Sequence, residues 1–122
     1  MTVWSRAAAA AFLALSGYLH AELYVHGYRV IPHIGTLFLI QASGSFALAV
    51  LLPFTTSPPL RFTAVGLAAG ALGGFALSRT VGVLGFTEHG WEPAPQALLS
   101  VLAETTVLIL IVPGWLRRAR RP

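Results

Sequence analysis

The chain has 122 residues, 56% of them hydrophobic and only 10% charged, with a mean hydropathy of +0.74. Soluble domains carry about 25% charged residues, so this chain cannot cover a water-facing surface and is built for lipid. The net charge is +4, with no cysteine, lysine or aspartate, which excludes disulfides and thiolate chemistry.

A bilayer core takes roughly 20 helical residues to cross. The first such stretch covers about 7–26, from Ala7 past Tyr24. Arg6 and the following AAAAAFLALSG also look like a secretory leader. Its only plausible cleavage site, Leu19-His20-Ala21, has Leu and His where small residues are preferred, so the segment is expected to stay as a span. The second stretch covers about 34–52 and stops before Pro53. The TTSPP loop follows, which cannot continue a helix.

The third stretch covers about 62–81. It contains two overlapping GxxxG pairs, Gly66 with Gly70 and Gly70 with Gly74. Small residues let helix backbones approach closely in lipid, so this face is expected to pack inside the bundle, or against another subunit. A polar loop, GFTEHGWEPAP, leads to the fourth stretch at about 96–116. The runs are too long, and alternate too little, for a membrane β-barrel. The expected fold is all-α, a single four-helix transmembrane bundle over 1–122. Trp4, Trp91 and Trp115 fall near span ends, as interfacial anchors should.

Four spans put both termini on one side. Arg6, Arg61 and the terminal run Arg117, Arg118, Arg120 and Arg121 share that side, against Arg29 and Arg79 on the other. The positive-inside rule predicts cytoplasmic termini. The terminal run reads as a lipid-headgroup anchor and not as a nucleic-acid surface.

Every histidine and glutamate then lies in the outward half. Glu104 is the most informative, about 12 Å inward from Gln96 at 1.5 Å per residue. An ionisable group at that depth should face the bundle interior and find a companion. Arg79 is the expected one and His20 the second choice. Glu104 is then a register-fixing contact, or a proton-accepting or ligand-binding carboxylate. Gln41 is expected inside at mid-depth, within reach of Glu104. On the first span Tyr18, Glu22, His26 and Arg29 share one face, and His20 and Tyr24 another. The expected polar network is therefore Glu104, Arg79, His20, Glu22, Gln41 and Tyr24. The sequence requires no cofactor. Were a metal held, His26 and His33 with Glu22 would be its ligands. Haem has little support, because only His20 lies deep in a span and no histidine faces it.

Two stretches, Gly17-Tyr18-Leu19-His20 through Leu37-Phe38-Leu39 and Leu77-Ser78-Arg79-Thr80-Val81-Gly82 through Glu104, carry a resemblance. Ser78, Arg79, Thr80, Gly82, Gly85 and Phe86 are followed by Trp91, Glu92 and Pro93, then by a span with one glutamate. In this the chain resembles uncharacterised small four-span membrane proteins of GC-rich bacteria of actinobacterial type. The resemblance implies a four-helix fold and brings no assigned chemistry.

No Walker loop, GxSxG or Rossmann fingerprint is present, so no enzyme activity is expected. Two functions lead, with a redox-linked membrane protein that holds a quinone or haem as a third possibility. The first is a non-enzymatic accessory or assembly subunit, with partner membrane subunits or a homo-oligomer. The second is a protein that binds or transports a ligand, metal or proton-coupled solute through an outward-facing cavity around Glu104, Arg79, His20 and Glu22.

Overall fold

The computed structural model describes all 122 residues. Four helices make up the chain: α1 (Val3–Val25), α2 (Ile34–Leu51), α3 (Pro58–Ser78) and α4 (Gln96–Ala119). A 3₁₀ turn, Tyr28–Val30, joins α1 to α2, and another, Leu52–Phe54, extends α2. There is no strand, only one bridge between Val83 and Phe86. All four helices are long and apolar enough to cross a membrane. The fold is the expected all-α four-helix bundle.

Local chemistry moves the boundaries. Thr2 caps α1 by accepting from the Ser5 amide at 3.0 Å, so the helix starts before Ala7. Pro58 opens α3, where its fixed φ suits a helix and its missing N–H is not needed. The helix therefore begins a turn before Phe62, carries Arg61 inside it, and ends at Ser78 with Arg79 as its cap. Arg61 is only 7% exposed and its Nε has no partner. Pro113 is absorbed within α4, which runs on to Ala119.

Around the bundle α1 lies against both α2 and α4, and α3 lies against α4. The fourth side, between α2 and α3, is the loosest. The end holding both termini is tightly packed. Ala9 and Leu13 meet Leu48 and Leu52, Ala64 and Ala68, and Val107 and Ile111 in one core. Trp115 closes that end, stacked on Phe62 at 4.6 Å. Toward the opposite end, where the two long loops lie, packing gives way to a hollow.

The glycines correct the expected use of α3. A Cβ on Gly66, Gly70, Gly73 or Gly74 would meet nothing within 4 Å. The GxxxG face is therefore not a helix–helix contact in this bundle. Close approach occurs elsewhere. A Cβ on Gly17 would lie 3.3 Å from the Ala42 carbonyl and the Phe46 ring. One on Gly35 would lie 2.7 Å from the Arg29 carbonyl and 2.9 Å from that of Tyr28. Only glycine lets the 3₁₀ turn lie on the start of α2.

This contrast predicts opposite outcomes for two alanine substitutions. Gly35→Ala forces backbone apart and should lower the SDS unfolding midpoint, at a cost of about 1–3 kcal/mol. Gly70→Ala meets open space and should leave the midpoint unchanged or raise it, by up to about 1 kcal/mol.

Candidate functional site

The hollow is a cavity of about 320 Å³. One wall is α2, through Leu37, Phe38, Ile40 and Gln41. The opposite wall is the glycine face of α3, through Gly66, Gly70, Ala71 and Gly74. His20 of α1 and Ser100 and Glu104 of α4 form the back. Leu37 and Ile40 on one side, and Gly66 and Gly70 on the other, border the cavity and are also exposed. The cavity thus opens sideways through the loose α2–α3 seam, within the apolar belt.

Glu104 is 2% exposed and lies one turn beyond Val107 of the packed core. Its Oε2 accepts from the Ser16 hydroxyl at 2.9 Å and from the Ser100 hydroxyl. Ser100 precedes it by one helical turn, so α4 itself brings one of the two donors. No protein donor reaches Oε1. That oxygen is not sealed in either, since the only sealed side-chain polar atoms without partners are Arg6 Nε and Arg61 Nε. It is left to the cavity.

His20 stands beside this carboxylate. Its Nδ1 lies 2.8 Å from the Ser16 carbonyl, which can only accept, so Nδ1 carries the proton. Nε2 is then a bare acceptor without a protein partner. Ser16 joins the two groups, since its hydroxyl bonds Glu104 and lies 3.5 Å from His20 Nδ1. Gln41 uses its amide N–H groups on the Leu67 carbonyl at 3.1 Å and the Ser45 hydroxyl at 3.5 Å. Its Oε1 also stays free. The back of the cavity therefore presents acceptors, while the neighbouring donors are already committed.

The loops roof the cavity. Arg79 binds the second loop to α3: its Nε donates to the Gly90 carbonyl at 2.9 Å, and Nη2 donates to the Glu92 carbonyl. Its Nη1 donates to Ser78 Oγ at 2.7 Å, and its guanidinium lies 4.1 Å from the Phe75 ring centre. From the first loop, the Tyr28 hydroxyl donates to Glu88 Oε1 at 2.5 Å. The Tyr28 ring stacks on Phe38 at 4.6 Å and meets the edge of Phe86 at 5.8 Å.

Four expected network residues, Glu104, Arg79, His20 and Gln41, border this one cavity. The expected Arg79–Glu104 bond does not form. Arg79 gives its donors to loop carbonyls and Ser78, and two serines replace it at Glu104. Gln41 reaches α3 backbone instead of Glu104. Glu22 lies off the cavity and accepts from Gln96 Nε2 at 3.4 Å. Tyr24 is half-buried and lies off it too. His26 is exposed and bonds the Glu22 carbonyl at 2.8 Å, while exposed His33 caps α2 with a φ of 66°. No three His or Glu side chains are grouped to hold a metal. Ser16, Ser100, Tyr28 and Glu88 were not anticipated. Ser16 with His20 and Ser100 with Glu104 stand at i, i+4 spacing, a signal legible in the sequence.

Tyr28 supplies a titration test outside the spans. Burial, and then the carboxylate of Glu88 that accepts its proton, push its hydroxyl above the ordinary tyrosine range. The folded value is raised, so this contact stabilises the fold below the ordinary range and is lost as pH climbs through the folded value. Absorbance of tyrosinate during alkaline titration should show one late component. Tyr28→Phe should remove it, and Glu88→Gln should move it to lower pH.

No family model matches the chain, and neither does any curated protein or solved structure.

Proposed function

We propose that this is a bacterial inner-membrane protein that binds a lipophilic ligand within the bilayer. The ligand enters between α2 and α3 and meets the Glu104 site at the back. The observation that carries this reading is the cavity itself: apolar walls, a sideways mouth bordered by Gly66 and Gly70, and a buried carboxylate with one free oxygen. Ligand sites have this character, concave and mostly apolar with a few converging polar groups. An accessory-subunit role would use the α3 glycines to seat a neighbouring helix. Gly73, exposed and off the cavity, favours that as a second reading.

The arginine asymmetry supports cytoplasmic termini and outward roofing loops, which would set the cavity in the outer leaflet. The chain has no native cysteine, which makes this easy to check. Thr87→Cys should react with a membrane-impermeant maleimide on intact cells. Pro122→Cys should react only after permeabilisation. The reverse pattern would turn the protein over.

Ligand entry can be tested with a neutral diazirine-bearing dodecanol in phosphatidylcholine vesicles. Photolabelling should saturate and map to Leu37, Ile40, Leu67 or Ala71. Gly70→Leu fills the mouth and should weaken that labelling by about tenfold, or roughly 1.4 kcal/mol. Labelling that never saturates and spreads over exposed Val50 and Ile109 would end the cavity reading. Dissociation of a stable complex by Gly70→Leu would favour the seated helix.

A further inference from the structure

With Glu104 ionised and the His20 ring neutral, the unpartnered polar atoms at the back of the cavity are of one kind. Glu104 Oε1, His20 Nε2 and Gln41 Oε1 all accept, and none has a protein donor. The donors beside them are committed: Ser16 and Ser100 to Glu104, His20 Nδ1 to the Ser16 carbonyl, and the Gln41 amide to Leu67 and Ser45. A ligand head that brings only acceptors would find no free donor beside Glu104, His20 and Gln41. A head with several N–H groups matches these three acceptors in kind.

Charge and aromatic lining narrow the class further. Glu104 borders the cavity at the back and Glu88 near the roof. Arg79, the one cation on the lining, is turned to loop carbonyls and lies against Phe75. Between them the cavity is lined by the aromatic residues Phe38, Tyr28 and Phe86. Ring faces attract cations most strongly where water is scarce. Hydrogen bonds between an ammonium and a carboxylate are also about twice as strong as neutral ones.

We infer that the ligand is an amphiphile with a primary ammonium head, which donates to Glu104, His20 and Gln41 while its apolar chain leaves through the α2–α3 mouth. The inference rests on the cavity reading above and specifies its ligand. The carboxylate supplies the countercharge and the two neutral acceptors select N–H over N-methyl. The glycines of α3 make room for a chain that stays in lipid.

The test is competition against the neutral diazirine label in zwitterionic phosphatidylcholine vesicles, with each competitor's dose expressed per lipid. The competitors share a twelve-carbon chain: dodecylammonium, dodecyltrimethylammonium, dodecanol and dodecanoate. Dodecylammonium should displace the label at a dose about tenfold below dodecanol. Dodecyltrimethylammonium should fall between them, and dodecanoate should compete worst. In Glu104→Gln the neutral label should still saturate, showing an intact cavity, and the ammonium advantage should shrink to about twofold. Dodecanol or dodecanoate matching dodecylammonium on the unaltered protein would overturn the inference. So would an ammonium advantage that survives Glu104→Gln, or a trimethyl head that competes as well as the primary one. Absence of saturable labelling on the unaltered protein would be a different failure, one that removes the cavity and this ligand with it.

Discussion

The Glu104 carboxylate, at the back of the hollow half of the molecule, is held by two serine hydroxyls and by no cation. An ionised carboxylate near the middle of a span costs about 2.5–3.5 kcal/mol on insertion scales. Hydrogen bonds between membrane helices contribute about 0.6 kcal/mol each on average. Ser16 makes one such bond from α1, Ser100 bonds from within α4, and together they offset only part of the cost. An arginine pair would have satisfied both oxygens and closed the site. Serines are short, bind one oxygen from one side, and leave the other facing open space. A residue so placed weakens the bundle unless something from outside the chain completes it.

Space for that something comes from an uneven use of small residues. At the terminal end, alanines on α1 and α3 let leucines and β-branched residues interdigitate into one core. On α3, Ala64 and Ala68 face the core, while Gly66, Gly70 and Gly74 sit on another face that borders the cavity, and nothing fills the gap there. The helices cannot collapse into it. On one side Gly17 already holds α1 and α2 at contact distance, and Gly35 locks the Tyr28 turn on the start of α2. On the other side Arg79 ties the long loop to the end of α3, and Tyr28 joins that loop through Glu88. The void is kept open by rigid neighbours above and below.

The fold was legible because lipid leaves a chain few choices. Four long apolar runs, punctuated by TTSPP and GFTEHGWEPAP, admit only helices. The depth of Glu104, and the company of His20, Gln41 and Arg79 around it, were also readable from hydropathy and helical spacing. The partners were not. Sequence reasoning gave Glu104 a cation because charge seeks charge, but Arg79 caps α3 and is drawn outward to loop carbonyls that no periodicity reveals. The glycine face failed for a related reason. A GxxxG pattern marks a surface that permits close approach, and permission is all it marks. Whether a helix, a ligand or lipid takes the place depends on the crossing geometry of α2 and α3, which is a tertiary property.

The side on which the cavity opens bears on what it holds. A solute drawn from water would need a path through the loop end, where Tyr28, Phe86 and the Arg79-anchored loop lie across the top. The exposed lining, by contrast, is Leu37, Ile40, Gly66 and Gly70, all within the spans. A molecule that enters there must already be dissolved in the membrane, so the bilayer concentrates it before binding and the protein needs to recognise only its head. On the proposed reading, lipid would retain the apolar part, and the acceptors of Glu104, His20 and Gln41 would read the polar part. It also accounts for the costly carboxylate, since in an apolar enclosure one acidic group discriminates among heads far better than it could in water.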